Sequence, residues 1–241
     1  MTYLVAIKMS AKRLVQKILQ RYKLKYWRGM SPNLYLGTLE KDQIQRETGF
    51  FIGLSIDPSH FFEIYCNLTQ AVLPFGNSSI NKVQAEDVLE HIPFEILPSL
   101  LDEIYRVLKV GGVFRISVPD YATPFLRSRC AFDYKGDFLI DVLTGSSLKL
   151  DSDSGTPIAV HDTLGNSHLW FPDFTNLMSL IEVSDFRDSA DVKLLHGYVS
   201  EDLSVVNDIP DLTMPVRRCP PGDQRNSGKS ISLIVDVVKT K

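Results

Sequence analysis

The 241-residue sequence predicts an α/β fold on a mostly parallel sheet. Three observations carry the prediction. Two short apolar runs, Ile80 to Ala85 and Val113 to Val118, are joined by one long amphipathic segment, which is the pattern of a βαβ unit. Polar residues Glu86, Glu90, His91 and Asp120 stand at the ends of these runs, where open α/β sheets bind their ligands. Two further β runs, Asp191 to Tyr198 and Ser230 to Val238, lie near the end of the chain.

The elements follow in order. Asn33 to Gly37 reads as a first strand ending in glycine, and Phe50 to Asp57 as a second ending in a carboxylate. An acid at such a strand end accepts hydrogen bonds from ribose hydroxyls in dinucleotide-type sites; Asp-Pro is equally ordinary turn chemistry. Ile64 to Leu68 is a third short strand and Ile80 to Ala85 a fourth. Phe94, Leu97, Leu100, Leu101, Ile104, Val107 and Leu108 recur at three- and four-residue steps, so they form the buried stripe of a helix. Pro93 and Pro98 are tolerated near its start, Arg106 and Lys109 suit its last turn, and Gly111 or Gly112 supplies a left-handed stop. Val113 to Val118 is the fifth strand, closed by Pro119. Short helices are expected at Phe125 to Arg127 and Phe138 to Leu143, a turn-rich link at Asp151 to Pro157, and a helix over roughly Thr175 to Val183.

The string from Leu73 to Asp120 also carries a resemblance. Leu73-Pro74-Phe75, Asn77, Ser79-Ile80-Asn81, Glu90-His91, Arg106-Val107-Leu108-Lys109 and Gly111-Gly112 are similar to the middle of class I S-adenosylmethionine (SAM)-dependent methyltransferases, in the small bacterial type-11-like branch. Asn81 stands where that family usually has Asp, and Val110 where it usually has Pro. The resemblance implies a Rossmann-like methyltransferase sandwich whose last strand is inserted antiparallel, and SAM as cofactor. It implies cofactor-binding roles for Leu36 and Gly37 in the loop after the first strand, and for Asp57, Asn67, Leu68 and Glu86 at later strand ends. The loop itself is degenerate: Thr38-Leu39 follow Gly37 where a small residue and a second glycine are expected. A leucine there obstructs the backbone's approach to a ligand or forces a detour.

Composition bounds the rest. Hydrophobic content of 44% and a mean hydropathy of −0.02 fit a globular chain with one α/β core. Cys66, Cys130 and Cys219 are odd in number and far apart, which favours a reduced cytoplasmic setting, and no apolar run is long enough to span a bilayer. Residues 1–30 hold eight basic residues (Lys8, Lys12, Arg13, Lys17, Arg21, Lys23, Lys25 and Arg28) and no acid, leaving 18 basic against 29 acidic in the remainder. Leu14, Val15, Ile18, Leu19 and Tyr22 form an apolar stripe inside this segment. Residues 1–30 thus read as a basic amphipathic extension that packs on the acidic body, or makes a peripheral membrane or homodimer contact through residues 8–28. The domain proper is 31–241, with an insertion at about 121–173. Nucleic acid is not expected as a partner of so acidic a body.

If the methyl acceptor must lose a proton, His91, Asp120, His161 and His168 are the candidate bases. By the resemblance, an insertion after the fifth strand covers the acceptor, which is where His161 and His168 fall. As a metal pair these two lack a third ligand recognisable in the sequence, so no metal is expected. Arg217, Arg218 and Arg225 suit an anionic acceptor or simple solvation. The resemblance suggests a small-molecule or glycan-type acceptor. The alternative is a methyltransferase-like binding or scaffold protein without SAM, since Thr38-Leu39, Asn67 and Asn81 all depart from the pattern in the half that would hold the site. A nicotinamide-dependent oxidoreductase fits less well, because no second glycine follows the first strand.

Overall fold

The computed structural model describes residues 18–39, 45–46, 49–161, 166–200, 203–206, 214–218, 223 and 230–241. A helix over residues 18–30 (α1) leads into a nine-stranded sheet of order β12-β11-β13-β6-β5-β1-β3-β2, with β4 pairing on β3. The strands are β1 (Asn33–Leu36), β2 (Gln45–Arg46), β3 (Gly49–Ser55), β4 (Glu63–Tyr65), β5 (Ile80–Glu86), β6 (Leu108–Pro119), β11 (Ala190–Ser200), β12 (Leu203–Val206) and β13 (Ser232–Lys239). Pairs β1/β3, β1/β5, β3/β4 and β5/β6 are parallel. β13 runs antiparallel between β6 and β11. This is the mostly parallel Rossmann-like methyltransferase sheet, and its last strand is inserted antiparallel.

Alternation along the strands gives the sheet two unlike faces. Leu34, Leu36, Val83, Ala85, Phe114, Ile116, Val118, Leu233, Val235 and Val237 form one buried cluster. Trp27 of α1, the stripe of helix α2 (Leu97–Val107) and Leu177, Leu180 and Ile181 of the later helix α4 (Phe174–Glu182) join it. The opposite residues are polar or isolated. Gln84, Arg115 and Asp236 lie side by side across β5, β6 and β13. The chain around Met214–Val216 lies over them: Arg115 Nη1 donates to the Met214 carbonyl (2.6 Å) and Gln84 Nε2 to the Pro215 carbonyl (3.0 Å). Arg115, fully buried, grips Asp236 with two parallel bonds of 2.7 Å.

Helix α2 begins at Leu97, after a 3₁₀ turn at Phe94–Ile96, so Phe94 is exposed rather than part of the buried stripe. It ends at Val107, and Leu108 is already extended and paired with Ile80. The left-handed residue is Gly111 (φ +78°), in the turn beyond, rather than a helix cap. The helix end is served from a distance: Lys239 Nζ donates to the carbonyls of Tyr105 (2.8 Å) and Leu108 (2.9 Å). Arg106 is used otherwise. Its guanidinium donates to Leu73 O, Phe75 O and Asn77 Oδ1 and pairs with Glu103, so the Leu73-to-Asn77 loop is fastened to the helix that follows it.

Two expectations need correction. Phe138 to Leu143 is not a helix. Phe138–Asp141 is a strand (β8) pairing Cys130–Phe132 (β7), because the cross-strand Phe132–Phe138 ring pair, 4.8 Å apart, rewards extended chain. A second hairpin, β9 (Ser146–Leu150) with β10 (Pro157–His161), turns through the polar link at 151–156. Only α3 (Pro124–Arg127), capped by Thr123, is helical in the first part of the insertion. In α1 the buried face carries Leu24 and Trp27, while Ile18, Leu19 and Tyr22 of the expected stripe are exposed. Trp27 packs on Phe61 and Phe62, and Lys23 Nζ donates to the His60 carbonyl (2.8 Å), so α1 rests on its own body; residues 8–17 lie outside the described set. Among the described residues no helix is long and apolar enough to cross a membrane.

Removing one partner of the Arg115–Asp236 pair strands a buried charge, which costs about 3–5 kcal/mol. Arg115→Ala is therefore expected to lower the unfolding free energy by that order in urea titration. The double variant Arg115→Met/Asp236→Leu should lose clearly less than the two single losses combined.

Candidate functional site

At the carboxyl ends of β1, β3 and β5 lies a cavity of about 320 Å³. Gly37 and Thr38, Ser55 and Ile56, Asn67 to Thr69, and Asp87, Val88 and His91 line it. The degenerate loop explains itself here. Gly37 adopts φ +108°, and the chain turns so that Thr38 lines the cavity and Leu39 points away from it. Leu39 is 3% exposed and packs with Tyr35, Phe51 and Met214 on the polar face of the sheet. The buried carboxylate of Glu63 holds the turn: it accepts from the amides of Leu39 (3.0 Å) and Ser59 (2.6 Å), and His60 Nε2 lies 3.4 Å away. The expected obstruction by a leucine side chain is thereby relieved by burying it elsewhere.

Leu36 is in the core beneath the loop, while Gly37, Asn67 and Leu68 line the cavity. Asn67 Oδ1 accepts from the amide and hydroxyl of Thr69 (3.1 and 2.8 Å), which shapes the turn. Asp57 is exposed and outside the lining; Ser55, two residues earlier, lines the cavity, bonded to Thr38 Oγ1 at 3.2 Å. Cys66 also contributes to the wall, but burial pushes its thiol up to about 11, so it is an apolar surface rather than a nucleophile. Glu86 lies just below, 7% exposed, accepting from the Arg218 amide (2.9 Å). Burial, with a smaller contribution from Asp87, raises its pKa.

A second cavity of about 360 Å³ opens on the other side of His91. Asp87 and His91 line both, so these two residues form a wall shared by the two cavities. The insertion closes the second one. Leu169 N donates to the Glu90 carbonyl (2.7 Å), Trp170 Nε1 to the Leu89 carbonyl (2.8 Å), and His91 Nδ1 to the Ser167 carbonyl (2.9 Å). A carbonyl only accepts, so His91 carries its proton on Nδ1 and its lone pair on Nε2. His168 stands beside it, with ring centroids 5.0 Å apart. Its Nδ1 lies 2.5 Å from Tyr121 Oη, which donates in turn to the Asp141 carboxylate (2.8 Å). That chain makes His168 an Nδ1–H donor as well. Arg129 completes the chain through a short pair with Asp141. Burial alone would raise the Asp141 pKa, but Arg129, the Leu143 amide and Tyr121 together hold it below the usual value.

The remaining candidates lie apart. His161 is exposed on the β9–β10 hairpin, bonded to Ser146, away from both cavities. Asp120 is fully buried, and its two oxygens accept from the amides of Ala122 (3.0 Å) and Tyr198 (2.6 Å), tying β6 to β11. Arg218 lines the second cavity and pairs with Asp87 at 2.6 Å, whereas Arg225 lies outside the described residues. Sequence reasoning missed Thr38, Ser55, Asp87, Arg129 and the Tyr121–Asp141 pair. Asp87 had a findable signal as the residue just past a strand end, and its left-handed backbone (φ +50°) is of the kind that clusters at sites. The others depend on contacts distant in sequence.

Sheet order and cavity position together define a class I methyltransferase fold. Residues 52–116, from β3 through β6, match the family model described as "Methyltransferase domain". No curated protein matches it. Among solved structures it is similar to a SAM-dependent methyltransferase from Archaeoglobus fulgidus (14% identity, 99% of this chain and 100% of that one, TM-score 0.42). It is also similar to a possible histamine N-methyltransferase from Thermotoga maritima (14%, 98% and 96%, 0.42). A third is the Burkholderia thailandensis 1,6-didemethyltoxoflavin-N1-methyltransferase, solved with S-adenosylhomocysteine (9%, 100% and 86%, 0.39). These likenesses are distant.

Burial lifts the Asp120 carboxyl from 3.8 to about 6, its two amide bonds and Asp173 acting more weakly. A pKa raised on folding favours the folded state while the group is protonated. This contribution is thus full below about pH 4 and is lost as pH rises through about 6. Melting temperatures between pH 4 and 7 are expected to show this loss in the wild type, and Asp120→Asn should remove that part of the slope.

Proposed function

We propose that the chain transfers a methyl group from SAM, held in the first cavity, to an acceptor held in the second. The observation that carries this reading is that the two cavities adjoin across Asp87 and His91, which line both. A donor in one and an acceptor in the other can be brought in line there, and in-line placement supplies much of the rate of such a transfer.

The first cavity fits the cofactor's chemistry. Its volume falls at the low end of the roughly 300–1,000 Å³ of ligand pockets. Leu54, Ile56, Leu68 and Ile92 offer apolar wall for a flat base, and Asn67, Thr69 and Ser55 offer polar edges. Gly37 lets the backbone approach with no side chain between, and the carboxylate of Asp87 suits a cationic group at the junction. SAM, when bound, supplies an already activated methyl group. The chain's own part is to position the acceptor and to receive its proton. His91 Nε2, held by the Nδ1 bond to Ser167, and the Glu90 carboxylate 3.9 Å from it are the groups placed to do so. Thr144, Arg129 and Arg218 give the second cavity a polar lining that suits a hydroxyl-bearing small molecule or glycan-type acceptor. The inward burial of Leu39, which clears the degenerate loop, favours this reading over a scaffold without cofactor.

Thermal unfolding with S-adenosylhomocysteine tests the proposal. At about a hundred times its dissociation constant the ligand should add roughly 2.7 kcal/mol, a rise of several degrees for a domain of this size. Thr69→Trp, on the half-exposed turn of the first cavity, should fill it and weaken binding at least about tenfold, as read by titration calorimetry. No shift with millimolar SAM or S-adenosylhomocysteine in a folded sample would instead support the binding-protein alternative.

A further inference from the structure

We propose that Glu90, His91 and His168 form a binding site for one divalent transition-metal ion at the wall of the second cavity. The inference is tested apart from methyl transfer, because metal binding is measured with metal alone.

Three donors converge. One ligand atom from each of the three residues lies within 4.8 Å of the other two. They come from separate parts of the chain. Glu90 and His91 occupy a 3₁₀ turn after β5, and His168 comes from the end of the insertion. Hydrogen bonds between the two segments, from Leu169 N and Trp170 Nε1, set their spacing before any ion arrives. Each ring is also oriented. His91 donates from Nδ1 to the Ser167 carbonyl, and His168 donates from Nδ1 to Tyr121 Oη, which is itself anchored on Asp141. Both imidazoles therefore have Nε2 as the lone-pair nitrogen. A metal-binding histidine is normally arranged this way, its other nitrogen bonded to a carbonyl or, through a relay, to a carboxylate.

The donors stand wider than in a closed site and must draw together around an ion. Bonds of about 2.1 Å in tetrahedral array put donors about 3.4 Å apart. His91 Nε2 and Glu90 Oε1 are 3.9 Å apart, so closure by about half an ångström brings that pair into range. Two imidazoles and one carboxylate select zinc, iron, cobalt or similar ions over magnesium and calcium, which take oxygen donors. Three protein ligands leave a coordination position open, and the adjoining space is the second cavity lined by Thr144 and Arg218. An acceptor oxygen can occupy that position. With the ion bound, the His91 lone pair is committed to it, and the ion rather than the histidine lowers the acceptor's pKa; the proton leaves to solvent.

The test uses the full chain stripped with chelator and desalted. Titration with Co²⁺, followed by its visible absorption, and with Zn²⁺ by calorimetry should show one equivalent bound. His91→Ala and His168→Ala should each weaken binding by at least about a hundredfold, since even outer partners of metal ligands cost about 10- to 100-fold. His161→Ala, on the exposed hairpin, should leave it unchanged. If His168→Ala fails to fold, as judged by circular dichroism, the half-exposed His91 decides the question through His91→Ala. Absence of a stoichiometric site at 100 µM Zn²⁺ (roughly 10⁻⁴ M affinity or weaker) overturns the proposal. So does binding that survives His91→Ala or is lost in His161→Ala.

Discussion

Both candidate cavities depend on one join, the hydrogen bonds between residues 89–91 and 167–170. Trp170 Nε1 reaches the Leu89 carbonyl, Leu169 N the Glu90 carbonyl, and His91 Nδ1 the Ser167 carbonyl. The Leu89 carbonyl accepts from Ile92 N within the 3₁₀ turn, and the insertion adds a second donor to it and supplies one to the Glu90 carbonyl. Without the join, the turn after β5 would have no fixed height above the sheet. The first cavity would lose its His91 wall and the second would lose its floor. Each bond is worth only about 1 kcal/mol net, but the buried carbonyls make their loss more costly than that. Trp170, 5% exposed, also adds an apolar anchor to the main core, so packing and hydrogen bonding hold the same contact.

A second constraint sets the level of the sheet itself. The helix-bearing face is uniformly apolar, and the opposite face carries Gln84, Arg115 and Asp236. A buried charged row is tolerable only when every member has partners. Register supplies one, placing Arg115 directly opposite Asp236 when β13 is inserted antiparallel. The Met214 and Pro215 carbonyls supply others. A one-residue slip of β13 would bring its apolar residues onto this face and leave the guanidinium without its carboxylate, so the pair specifies register as well as stability. The same covering segment delivers Arg218 to Asp87, linking the polar face to the site.

The periodic parts of this fold were legible in the sequence. The α2 stripe, the paired strands around it and the two terminal β runs follow from spacing alone, and the resemblance then supplied the antiparallel insertion. The Phe138 to Leu143 segment was misread because a short apolar run has no period of its own; the aromatic partner across the hairpin decides it. Met214 and Val216 were invisible for a related reason. They sit in an irregular, proline-rich stretch; Met214 is buried against Tyr35 and Phe51, over a hundred residues earlier, and Val216 against Leu195 and Ile234 of the two late strands. For the site, strand ends pointed to Gly37, Asn67 and His91. Sequence proximity sets His168 near His161, while the fold places it against His91 and Glu90.

The Gly37-to-Leu39 loop departs from a local rule without placing its leucine in the cavity beside it. A second glycine serves to keep side chains out of the ligand's path. Here a leucine stands in that stretch, and the backbone sends it through the sheet's edge into a small cluster of Tyr35, Phe51 and Met214. The manoeuvre needs an acceptor for the Leu39 amide in a dry place, and Glu63 provides it from β4. It also needs Gly53 on β3, where any Cβ would stand 2.8 Å from the Gly37 carbonyl and 3.3 Å from Leu39. The glycine requirement has thus moved from the loop to the neighbouring strand. Departures at Thr38-Leu39 are therefore coupled to Gly53 and Glu63.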